Sequence, residues 1–135
     1  MPNFSVLIID NSRSFAKAAR NYLLSLPGLD AVEQAKDIEE AERKASLRLP
    51  NLVFCKRELL QEKGLFFCRG LKRISPDIKI IALITFREEG IFLPAVYGET
   101  GCLDGILSKE DFGSLCQPLL RTLFPDRFKK GSNNF

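Results

Sequence analysis

Two side chains of opposite charge close apolar runs in this chain. Val6-Leu7-Ile8-Ile9 runs into Asp10, and Leu52-Val53-Phe54-Cys55 runs into Lys56. A carboxylate at a strand end can hold a metal ion, pair with a cation, or accept a group on oxygen. A lysine ammonium only donates, because it carries no acceptor oxygen. The expectation is therefore an ion pair in which Lys56 reaches Asp10. At roughly 4 Å in an effective dielectric near 20, that attraction is about 4 kcal/mol before desolvation is subtracted.

The other reactive side chains are four cysteines: Cys55, Cys68, Cys102 and Cys116. None forms a C-x-x-C pair and the chain has no histidine, which argues against zinc. Each lies in or beside an apolar segment, as small buried hydrophobes of a reducing compartment do. Lys56 could lower the pKa of Cys55, but strand alternation sends neighbouring side chains to opposite faces. The net charge of +3 is mild, and the basic residues are spread along the chain, so nucleic-acid binding is not expected of this segment. No apolar run approaches the roughly 20 residues of a membrane span. Met1-Pro2-Asn3-Phe4-Ser5 has no basic stretch before an apolar one, so no signal peptide and a cytoplasmic location are expected.

The elements that must position these residues alternate. The run ending at Asp10 reads as a strand buried on both faces. Ser12 offers a helix cap, and Phe15, Ala19, Tyr22 and Leu23 follow at helical spacing. Residues 29–35 read as a second strand. Asp37 with Glu40 reads as a capping-box variant before a helix on Ile38, Ala41 and Ala45. The run to Lys56 is the third strand, 64–74 the third helix with Leu65, Cys68 and Leu71 inward, and 78–84 the fourth strand. A fifth strand spans 103–107. The last helix opens at Ser108, with Pro118 expected to kink it or shift its start. Between the last two strands, Gly90, Pro94 and Gly98 work against a helix, so a short, weakly held one is expected. Alternating buried strands and amphipathic helices argue a parallel sheet covered on both faces. Residues 1–124 form this domain, and 125–135 read as a basic tail or linker.

From Val6 to Leu123 the chain resembles the receiver domain of bacterial two-component response regulators. The first strand ends Asp10-Asn11-Ser12, where the family has two acids and a small polar residue. Lys56 stands eight residues before Gly64, the family's distance from phospho-acceptor aspartate to the glycine of the third helix. Lys109 matches the family's pocket lysine. The resemblance implies a flavodoxin-like (βα)5 sandwich, strand order 2-1-3-4-5, whose ligands collect at the carboxyl ends of the strands. It also implies a site for magnesium and phosphoryl, and there the match breaks. Asn11 takes the second acidic position and Lys56 replaces the acceptor. Ile84 aligns with the hydroxyl residue, with Thr85 one residue on, and Ile106 aligns with the aromatic switch. Three acids and a lysine make about −2, which attracts a hard cation; one acid and two lysines make about +1, which repels it.

The expectation is a degenerate receiver module, without metal, cofactor or enzymatic activity, that signals by protein–protein contact. Its partner is a signalling protein or its own effector domain. The contact face, by resemblance, joins the weak helix, the fifth strand and the last helix, exposing Phe92, Leu93, Tyr97 and Ile106; a homodimer through it is also an expectation. Two alternatives stand: an active receiver phosphorylated on Glu58 or Asp10, and a regulatory domain cut from a longer transcription factor or enzyme.

Overall fold

Continuous apolar strands have no face to turn to water, so both sides of their sheet must be covered. The computed structural model, which describes residues 4–85 and 101–128, meets that demand. Strands β1 (Ser5–Ile9), β2 (Ala31–Ala35), β3 (Leu52–Lys56), β4 (Lys79–Ile84) and β5 (Gly105–Ser108) pair in parallel. Their order is β2-β1-β3-β4-β5, as expected. Alternation sends Leu7, Ile9, Val53 and Ile80 under α2 (Ile38–Leu47) and α3 (Glu62–Ile74). It sends Val6, Ile8, Phe54 and Leu83 under α1 (Arg13–Leu24) and α4 (Phe112–Leu123).

The helix starts follow their capping residues. Ser12 Oγ accepts the Phe15 amide at 3.4 Å. Asp37 accepts the Glu40 amide at 2.9 Å, and Glu40 reaches back to the amide of Lys36 at 2.7 Å. The capping box is thus closed one residue earlier than the usual reciprocal bond.

Several boundaries differ from expectation. Helix α3 starts at Glu62, so Gly64 lies inside its first turn. Strand β5 starts at Gly105, because the Asp104 carboxylate instead takes the Ile80 amide at 2.8 Å and the Lys72 ammonium at 2.6 Å. Ser108 ends β5, and a 3-10 turn over Lys109–Asp111 delays α4 to Phe112. Helix α4 then continues through Pro118, with the Thr122 hydroxyl donating to the Pro118 carbonyl at 2.9 Å. The segment of Gly90, Pro94 and Gly98, with Phe92, Leu93 and Tyr97, lies outside the described residues.

The tail begins later than residue 125. Phe124 and Phe128, one helical turn apart, set their rings edge-on to Phe4 at 4.8 and 5.1 Å. Phe128 is buried, and Arg127 donates to the Gly28 carbonyl and the Asp30 carboxylate, both at 3.0 Å. Residues 125–128 therefore belong to the fold. Phe128→Ala should cost about 3 kcal/mol in a denaturant melt, in line with an aromatic removed from a packed cluster. A melt unchanged by the substitution would return these residues to the tail.

Candidate functional site

One rule of the pleat gathers the site. Ile8, Phe54, Leu83 and Leu107 all belong to the core between the sheet and the α1/α4 layer. Two residues on, each chain reaches the carboxyl edge on that same face. Those residues are Asp10, Lys56, Thr85 and Lys109. Four strand ends thus place these residues on one face at one edge of the sheet.

The ion pairing differs from the expected one. Asp10 pairs with Lys109, whose ammonium lies 2.9 Å from Oδ2; the Asp10 side chain is wholly buried and that of Lys109 nearly so. The approach lacks the angles of a hydrogen bond, so Oδ2 is held by charge. Oδ1 accepts the Ser12 amide at 2.8 Å. The Lys109 ammonium also stands 4.4 Å from the centre of the Phe15 ring, a cation–π contact. Lys56 does not reach Asp10. It donates to Asn11 Oδ1 at 2.9 Å and pairs with Glu58 Oε1 at 3.3 Å. The physical reason is local. A 3-10 turn over Arg57–Leu59 follows Lys56 directly and brings Glu58 back beside it. That acid and the amide of Asn11 are nearer to solvent than Asp10 and cheaper for an ammonium to meet.

Ile84 is not at the site. It packs in the core on the α2/α3 side of the sheet. Thr85 is the residue whose face matches Lys56, so a hydroxyl is retained at the strand end, and the alignment on Ile84 is corrected. Ile106 packs part-buried against the same core as Ile84.

The residues present do not fit a hard divalent cation. Asp10 already has an amide on one oxygen and an ammonium on the other. Asn11 offers a neutral oxygen that Lys56 uses. No cluster of three histidine, cysteine, aspartate or glutamate residues suited to a metal occurs among the described residues. A cation here would have to displace two ammonium groups in exchange for one carboxylate.

The thiols sit away from this chemistry. Burial pushes the Cys55 thiol up, with the Asp10 carboxylate adding to the shift. A hydrogen bond with Cys102 and then burial raise Cys68. Burial pushes Cys116 up to about 12. A raised pKa leaves the neutral thiol at neutral pH, and the thiolate is the nucleophile. Iodoacetamide should therefore label Cys55, Cys68 and Cys116 at neutral pH only as fast as the chain unfolds. A fast labelling phase on any of the three in the native protein would contradict this.

A parallel order of 2-1-3-4-5, with charged groups gathered at the carboxyl edge, defines a flavodoxin-like doubly wound domain. Residues 6–117 match the model of the response regulator receiver domain, and the chain belongs to that family. A curated relative, protein-glutamate methylesterase/protein-glutamine glutaminase 1 of Hahella chejuensis, is 27% identical over 103 residues, which is 76% of this chain. The match spans 28% of that relative's own length. Among solved structures, a complex of the P1 domain of CheA3 with CheY6 from R. sphaeroides contains a chain that superposes with a TM-score of 0.77 at 24% identity. The match covers 93% of this chain and 99% of that one. The response regulator domain of Thermotoga maritima CheB gives 0.68 at 20% identity, covering 94% and 97%. A CheY-like receiver domain protein from Methanospirillum hungatei gives 0.70 at 18%, covering 90% and 94%. These likenesses establish the fold. No described helix is long and apolar enough to cross a membrane.

Proposed function

We propose that this receiver domain works in bacterial cytoplasmic signalling as a phosphorylation-independent module. It acts by contact with a protein partner and carries out no catalytic step of its own. The observation that supports this most is the state of its carboxylates. The acceptor position carries the Lys56 ammonium, bound to Asn11 and Glu58. The remaining pocket acid, Asp10, is buried with both oxygens engaged. Phosphoryl transfer to a carboxylate needs a free oxygen in line with the donor and a metal to offset the charge. Asp10 offers no such oxygen, and the two lysines and the neutral Asn11 around it do not suit that metal. The partner face follows the family resemblance through Phe92, Leu93, Tyr97 and Ile106. The module is the regulatory part of a longer signalling protein or a free-standing adaptor.

Acetyl phosphate with magnesium tests the reading. The intact mass should stay unchanged, and beryllofluoride should leave the amide spectra around Lys56 and Lys109 unmoved. A stable gain of one phosphoryl group, lost on hydroxylamine treatment, would overturn the proposal. If that group mapped to Glu58, the active-receiver alternative would take its place.

A further inference from the structure

Gly70 has no evident structural role within its own chain. It lies in the middle of α3, where glycine is the poorest helix former after proline. Its φ is not in the left-handed region, and a Cβ added there would meet nothing within 4 Å. Alanine would fit and would hold the helix better. One helical turn to either side of Gly70 stand Phe66 and Ile74, which are 69% and 68% exposed. The outer face of α3 therefore presents a ring, a dent and a branched side chain in one line. Leu47, 80% exposed, closes the neighbouring helix α2 in the same layer. Large apolar side chains exposed together in this way mark a contact surface.

The charges around this line say what covers it. Helices α2 and α3 both start at the site edge of the sheet and finish at the opposite edge. Exposed Glu39 and Glu62 lie in their first turns and exposed Arg48 and Arg73 at their ends, with exposed Glu42, Arg43 and Arg69 between. Among the described residues, Glu39, Glu62, Arg48 and Arg73 have no ion-pair partner. Lys36 and Lys63 are exposed cations at the acidic end and Asp77 an exposed acid at the basic one, so each end keeps its sign only in balance. The polarity also suits the helix dipoles, but a dipole does not account for the apolar line. The surface that complements this layer is the layer itself, turned end for end. We infer that a second copy of the chain docks there about a two-fold axis, its α3 antiparallel to the first. Each Phe66 ring then fills the dent over the other copy's Gly70.

Such a contact is isologous, so residue i meets j and j meets i. Phe66 and Gly70 are four residues apart, about 6 Å along the helix, so an axis passing between them serves both rings. The acidic end of each copy faces the basic end of the other, whereas a parallel arrangement would oppose like charges. The contact is independent of the phosphorylation reading.

Sedimentation velocity on the full chain, from micromolar to millimolar concentration, should show a reversible dimer. Phe66→Glu and Gly70→Gln should each weaken it by more than about thirtyfold, the effect of losing a central anchor. Gly70→Gln should melt no lower than the parent at dilute concentration, which separates lost contact from lost fold. Arg48→Glu with Arg73→Glu should weaken the dimer, as should Glu39→Arg with Glu62→Arg, and mixing the two variants should restore it as a heterodimer. A parent chain that stays monomeric throughout would overturn the inference. So would a dimer that survives both Phe66→Glu and Gly70→Gln, including one lost only on Ile106→Asp.

Discussion

Lys109→Met should destabilise the domain by about 3 kcal/mol, while Lys56→Met should cost less than about 1 kcal/mol. Both are lysines at strand ends facing one pocket, and the contrast comes from their partners. Asp10 has no path to solvent, and Lys109 is the charge that balances it at 2.9 Å. Methionine keeps the stem that packs near Phe15 but leaves a buried carboxylate with one amide for support. Breaking a buried pair from one side leaves the other charge uncompensated, which costs more than the intact pair contributes. Lys56 loses less. Its side chain is 22% exposed, and its acidic partner Glu58 is 56% exposed, so water replaces much of what is removed. A double-mutant cycle sharpens the test. Asp10→Asn removes the charge that Lys109 balances, so adding Lys109→Met to it should cost little more. The coupling should be about 2 kcal/mol in denaturant melts. Equal losses for Lys56→Met and Lys109→Met would contradict this assignment.

The strands were legible because each is a short apolar run with a polar stop, and the parallel order followed from their alternation with helices. The site residues at the strand ends were legible for the same reason. Which lysine meets Asp10 was not. Lys56 leaves β3, the neighbour of β1, so proximity in the sheet favoured it. The deciding fact is the turn after Lys56, which returns Glu58 two residues later as a competitor. Ile84 against Thr85 could have been settled from sequence. Counting by twos from the buried end of β4 puts the isoleucine under α2 and α3 and the threonine toward Lys56. The late start of α4 had a signal in Lys109-Glu110-Asp111, but nothing in residue type separates a 3-10 turn from the first turn of a helix. Phe128 reads as part of a tail because its neighbours are basic. A phenylalanine four residues after another, at the edge of an apolar helix, is the pattern that places it in the fold.

Gly64→Ala should be as damaging as the loss of Lys109, with a cost above about 3 kcal/mol, although it adds a single methyl group. A Cβ on Gly64 would lie 1.7 Å from the Leu59 carbonyl oxygen and 2.8 Å from its carbon. Both atoms are backbone, so no rotamer change makes room. Gly64 itself donates to the Gln61 carbonyl at 2.6 Å, which draws the first turn of α3 tight against the turn over Arg57–Leu59. Alanine is the better helix former, and in an open helix it would stabilise. Here the clash outweighs propensity, and the chain can relieve it only by moving α3 or the 3-10 turn. That turn carries Glu58, so the strain passes to the site. In the folded fraction of the variant the Lys56–Glu58 pair should open, visible as a shifted Lys56 Nζ resonance, while the Lys109–Asp10 pair on the other side of the pocket stays in place. Gly70→Ala, on the same helix but facing open space, is the control, and it should melt at or above the parent temperature. A Gly64→Ala protein as stable as the Gly70→Ala protein would mean that the glycine is not what seats α3 against the turn.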